Sequence, residues 1–164
     1  MPMNHNTLGQ PIGFPLPNWK PPLPPAREPM KGRYCRLMPL DPDRHAEALF
    51  TAQAADAQGR SWTYMSYGPF SSWESYREWM LATCQGDDPL FFAICQPHSE
   101  QPVGVASFLS IVPLKGSIEV GHLLFSPALQ RSPAATEAMY LMMNNAFELG
   151  YRRVGTNPAN PREG

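Results

Sequence analysis

Glu119-Val120-Gly121-His122-Leu123-Leu124-Phe125-Ser126-Pro127, followed two residues later by Gln130-Arg131-Ser132-Pro133-Ala134-Ala135-Thr136-Glu137-Ala138, is the stretch that decides the fold. The apolar, β-rich run from Ile118 to Phe125 predicts a strand, and Ser126-Pro127 ends it. Pro133 fits the first turn of a helix, where its missing N–H costs nothing. Ala135, Ala138, Met139, Met142, Ala146 and Leu149 then recur at helical spacing, and Gly150 supplies the stop.

The segments upstream switch periodicity in the manner of an α/β (α+β) domain. Arg33 to Leu37 reads as a first strand. Asp41-Pro42 is an N-cap with proline at the first helical position, and Ala46, Leu49, Phe50 and Gln53 continue that helix toward Gly59. A second helix is expected after Ser71, with Glu74 as capping-box partner, Trp73, Tyr76, Met80 and Cys84 on one face, and Gly86 beyond its end. Leu90–Cys95 and Val103–Leu109 read as strands that form an antiparallel meander with Ile118–Phe125 through short polar turns. The order is β-α-α-β-β-β-α, a mostly antiparallel sheet flanked by helices.

Composition bounds what this domain can be. Nine of the 20 prolines lie in residues 1–30, so that leader is expected to be extended polyproline II or disordered, and residues 31–153 form the globular part. Phe14 and Trp19 are candidates to lay the leader on the domain surface. Pro22-Leu23-Pro24-Pro25-Ala26-Arg27 also fits P-x-x-P-x-R, a pattern read by aromatic-grooved peptide-binding domains. Residues 154–164 read as an unstructured tail. Thirteen basic and 14 acidic side chains give a net charge of −1, which offers no general field for nucleic acid. No apolar run reaches the roughly 18 residues of a membrane span. Cys35, Cys84 and Cys95 form no metal-ligand spacing with the four histidines, so no metal is expected and the thiols fit a reducing, cytoplasmic compartment.

The element order, with the strand-to-helix segment quoted above, resembles the GNAT superfamily of acetyl-CoA-dependent N-acetyltransferases, and within it the RimJ/RimL branch. The resemblance covers residues 31–153. It implies that Gln130, Arg131, Ser132, Ala134, Ala135 and Thr136 lie against the diphosphate of acetyl-CoA. A helix N-terminus suits that role, because it presents unpaired N–H groups and a partial positive charge. Gln130-x-x-Pro133-x-Ala135 matches the first and last positions of the family's Q/R-x-x-G-x-G/A loop, with proline in place of its first glycine. The bland alternative is a capped helix start at Ser132-Pro133.

The resemblance also implies that the backbone of Leu123, Leu124 and Phe125 pairs with the pantetheine arm, and that Glu119 deprotonates the acceptor amine, a protein N-terminus or a small molecule. A plain exposed strand glutamate is the alternative. Strict alternation puts Glu119 on one face with Gly121 and Leu123 and turns His122 to the other as a packing residue. Trp62, Tyr64 and Tyr67 lie in the aromatic stretch 62–70, which either shapes the acceptor pocket or packs as core. Tyr140 is read as structural.

A family member would continue past Arg153 into further strands, so the sequence reading expects an incomplete domain with weakened activity. It also expects a long apolar edge from Ile118 to Phe125 that could pair with another copy. The competing class is a non-catalytic interaction protein using that edge and the leader; a chain too short to fold stably is a third reading.

Overall fold

The structure, a computed structural model, describes residues 4–156. Its centre is a six-stranded sheet in the order β3 (Met30–Lys31), β4 (Arg36–Pro39), β5 (Leu90–Cys95), β6 (Pro102–Val112), β7 (Ser117–Phe125) and β8 (Arg153–Gly155). Neighbours are antiparallel except β7 and β8, which are parallel. The mixed, mostly antiparallel architecture and the β5–β6–β7 meander are as the sequence indicated.

Three helices cover the sheet. α1 (Pro42–Ala54) starts at Asp41, whose side chain accepts from the N–H groups of Asp43 and Arg44. α2 (Trp73–Thr83) is capped by Ser72 with Ser75, not by Ser71 with Glu74. The shorter Ser75 hydroxyl reaches back to the Ser72 backbone, so the capping box closes one residue later than the Ser-x-x-Glu pattern suggests. α3 (Pro133–Leu149) begins at Ser132 and ends at Gly150, whose φ of +102° is the left-handed stop that favours glycine.

Two apolar layers follow from the alternation of β5. Phe92 joins Phe108, Ile118 and Val120 under Ala138, Met142 and Ala146 of α3. Phe91 and Ala93 face the other way, with Leu49 of α1 and Tyr76 and Met80 of α2. A strand buried on both faces reads as a continuous apolar run, as Leu90–Cys95 does.

Three boundaries depart from the sequence reading. The first strand is shifted to Arg36–Pro39, because the N–H groups of Arg33, Tyr34 and Cys35 all donate to the Glu137 carboxylate and leave the ladder. The tail was expected to bring no strand, yet Arg153–Gly155 pairs with Ser117–Glu119. Buried Tyr151 and the N–H groups of Arg152 and Arg153, which donate to the Gly116 carbonyl, steer it there. Residues 157–164 lie outside the described residues. The open edge expected over Ile118–Phe125 is therefore shortened to Val120–Phe125.

The leader is ordered against the domain beyond two short strands, β1 (Asn4–His5) and β2 (Pro11–Ile12). Trp19 donates from its indole to the Gly150 carbonyl at 3.3 Å, while Phe14 stays exposed and does not share the anchoring. Pro22 and Pro25 are buried, and Arg27 is held by the carbonyls of Gln85 and Gly86 and by Asp87. The P-x-x-P-x-R segment is thus engaged by its own domain, which removes the recognition surface the pattern requires.

Candidate active site

The open edge of β7 forms one wall of the candidate site. After Glu119 pairs with Gly155, β8 does not follow β7, and the β8-facing edge from Val120 to Phe125 has no strand partner among the described residues. A strand edge of this kind can hydrogen bond an extended ligand as an added strand would. Two side chains reach its far end. Gln53 donates from Nε2 to the Leu124 carbonyl at 3.5 Å, and Gln130 donates to the Phe125 carbonyl at 2.9 Å while lying 3.4 Å from Ser61 Oγ. Gln130 therefore braces the strand end to its loop.

The strand is not regular. Val105 pairs with Leu124 and Ser107 with Gly121, so β7 carries one extra residue, and His122 takes a left-handed φ of +50°. This bulge overturns the alternation expected for the segment. Ile118 and Val120 face α3, and beyond the bulge so do Leu123 and Phe125. Glu119 thus alternates to the α1/α2 face, and His122 joins it there, its ring 4.9 Å from that of Phe91 and its Nδ1 3.2 Å from the Tyr67 hydroxyl. Leu124 also lies on that face, whereas Leu123 has moved to the opposite one.

The aromatic stretch divides in the same way. Trp62 is 7% exposed and makes edge contacts with Tyr67, Phe70 and Tyr76, so its indole is core. Tyr64 is 59% exposed. Tyr67 is the member that reaches β7, stacked on Trp79 at 4.0 Å with its hydroxyl at His122. Burial pushes the Tyr67 phenol up, with Tyr76 and Cys84 adding to the shift, so it stays protonated. Burial also pulls His122 below the ordinary imidazole value, so the ring is neutral at pH 7. The pairing of Tyr67 with His122 was not legible in the sequence, because no periodicity marks the bulge.

At the start of α3 the hydrogen bonds sort the loop amides. Ser132 Oγ donates to the Leu129 carbonyl and accepts from Ala135 N–H, and Thr136 N–H donates to the Ser132 carbonyl. The N–H groups of Arg131, Ser132 and Ala134 have no partner among the described residues. Arg131 holds a φ of +56°, which turns the chain so that these amides precede and open the helix. Unpaired donors at a 17-residue helix start, beside an open strand edge, suit a ligand that carries a diphosphate at one end and an amide-bearing arm beyond it. Among the described residues no cluster of His, Cys, Asp and Glu could hold a metal ion, and no helix is long and apolar enough to cross a membrane.

These features define a GNAT fold, and comparison with known proteins agrees. The acetyltransferase (GNAT) domain family matches residues 35–162. A crystal structure of a probable GNAT-family acetyltransferase from Chromobacterium violaceum is similar at 36% identity and a TM-score of 0.80, over 88% of this chain and 72% of that one. A GCN5-related N-acetyltransferase from Brucella melitensis is also 36% identical, with a TM-score of 0.80, over 85% of this chain and 63% of its own length. RimL, a ribosomal L7/L12 alpha-N-protein acetyltransferase, shares the fold at 18% identity and a TM-score of 0.57, over 73% of this chain and 66% of that one. No curated protein matches the chain. The chain belongs to the GNAT acetyltransferase family.

Proposed function

We propose that this protein binds acetyl-CoA along the open edge of β7 and catalyses acetyl transfer to an amine, either a protein N-terminus or a small molecule. The observation that carries this reading is the juxtaposition of that edge with the unpaired amides of Arg131, Ser132 and Ala134. Backbone groups of Leu123, Leu124 and Phe125 hold the pantetheine arm, and Gln130 shapes the loop through Phe125. Acetyl-CoA supplies the activated acyl group as a thioester. The protein's task is to hold the amine in its neutral form, since a free α-amino group has a pKa of about 8 and a lysine-type amine about 10.4.

Glu119 is assigned to remove that proton. It lies where β7 parts from β8, partly exposed, on the face that also carries Tyr67. The RimJ/RimL branch rests on the sequence resemblance, and the three free, buried cysteines fit a reducing cytoplasm. Two measurements test the reading. Acetyl-CoA at 100 times its dissociation constant is expected to add about 2.7 kcal/mol of apparent stability, read as a rising melting temperature. Glu119→Gln is expected to lower turnover by roughly 10²-fold or more while leaving that ligand-induced rise intact. A melt indifferent to acetyl-CoA would overturn the assignment.

A further inference from the structure

We propose that His122, oriented by Tyr67, is a second proton-accepting residue of this site. The inference rests on the acetyltransferase reading and extends it to a residue that regular strand geometry would have turned away. Three observations converge on it. The bulge turns His122 to the Glu119 face of the sheet, at a left-handed φ of +50°. Its ring is clamped between Phe91, at 4.9 Å, and Tyr67, at 5.6 Å and nearly parallel. Its Nδ1 is engaged by the Tyr67 hydroxyl at 3.2 Å, while Nε2 has no protein partner among the described residues.

The Tyr67 hydroxyl can donate to Nδ1 or accept from it, and the second arrangement is the one proposed. With the proton on Nδ1 and donated to the phenol oxygen, Nε2 carries a free lone pair. Once Glu119 has taken the proton of the incoming ammonium, the nitrogen lone pair forms the N–C bond to the acetyl carbon, and the second nitrogen proton, made acidic by that bond, passes to Nε2. The C–S bond of the thioester breaks with its electron pair on sulfur, and the imidazolium returns its proton to that sulfur. The products are the amide, the thiol and the proton held by Glu119, so charge and atoms balance. Tyr67, from the loop before α2, contacts the ring; Tyr76 of α2 and Cys84 at its C-cap lie against Tyr67, Glu119 lies on the same face of β7, and β5 contributes Phe91. Tyr67, Tyr76 and Cys84 stay neutral at pH 7 because burial raises all three.

The test is nitrogen NMR of the full chain labelled with 15N-histidine, with the His122 signals assigned by their loss in His122→Gln. The expected result is a neutral ring at pH 7 protonated on Nδ1, a titration midpoint below 6.5, and a change of tautomer balance in Tyr67→Phe. Addition of acetyl-CoA should shift the His122 signals and leave those of exposed His98 in place. A ring protonated on Nε2 would overturn the proposal. So would His122 signals that ignore acetyl-CoA while the melting temperature rises, and in that case the acetyltransferase reading stands. If the melting temperature itself does not respond, the reading fails and the proposal falls with it. The tautomer, the titration midpoint and the response to acetyl-CoA are all read on the wild-type fold, so they hold even if Tyr67→Phe is unstable.

Discussion

Glu137 shows how one side chain can set the boundary between two elements. Its carboxylate accepts from the N–H groups of Arg33, Tyr34 and Cys35 at 2.9, 2.6 and 2.9 Å, and thereby ties α3 to the β3–β4 turn. Gly32 has to be a glycine for this grip, since a β-carbon there would fall 2.3 Å from Glu137 Oε2. Burial acts to raise the Glu137 pKa, but the three donors outweigh it and hold the carboxyl below the usual value. Glu137→Gln keeps the shape and removes the charge. It is expected to cost about 2 kcal/mol in a urea unfolding curve, because three backbone donors then share a neutral acceptor with only one oxygen. A wild-type stability in this variant would mean that the three contacts contribute nothing net. The same residue explains why the first strand starts later than its sequence suggests: charged side chains rarely compete for strand amides, and nothing local in Arg33-Tyr34-Cys35 announces a partner about 100 residues away.

Among the elements, α3 and the leader divide into what local rules fix and what they leave open. Ser132, Pro133 and Gly150 give α3 the bounds read from the sequence, because cap and stop are properties of adjacent residues. Ser132→Ala should therefore cost about 1 kcal/mol, measured by thermal unfolding, as the cap to Ala135 is lost. The leader follows no such rule. Its prolines dictate an extended chain, yet where that chain lies depends on Trp19 finding the Gly150 carbonyl and the Gly116 turn, where a β-carbon would meet the indole at 2.6 Å. Trp19→Ala is expected to destabilise the domain by about 2 kcal/mol and to speed amide exchange at Tyr151 through Gly155, since the indole packs where α3 hands over to β8. Unchanged exchange in that segment would mean that the leader and β8 are independent.

For the molecule as a whole, pH offers a test that sums over buried groups. Burial lowers His45, which is also pulled down by Arg44, and burial lowers His122. A histidine whose folded pKa lies below its unfolded value favours folding fully above the unfolded pKa, and that contribution is lost as pH falls. Stability should thus begin to decline below about 6.5, the ordinary value for both rings. Glu137 has the same sign, its pKa being depressed, so the decline should steepen below about 4.5. Melting temperatures measured from pH 8 to pH 3.5 check this; a flat profile between 7 and 5 would show that neither histidine is desolvated.

The element order, the bounds of α3, the buried run of β5 and the family were legible in the sequence, because periodicity, capping and turn chemistry act between residues close along the chain. The α3 start could be singled out for the same reason, whereas Glu119 and Gln130 were singled out by the resemblance to the family. The faces of the site residues were another matter. One extra residue in β7 reverses the alternation beyond Gly121, and it is stabilised by Phe91 and Tyr67, which approach from two other elements. The pairing of Arg153–Gly155 with β7 and the docking of the leader depend likewise on residues far apart in the chain. What the sequence by itself determined was each element and its order; what only the tertiary structure decided was which side chains meet, since those contacts are held by the packed core rather than by any local pattern.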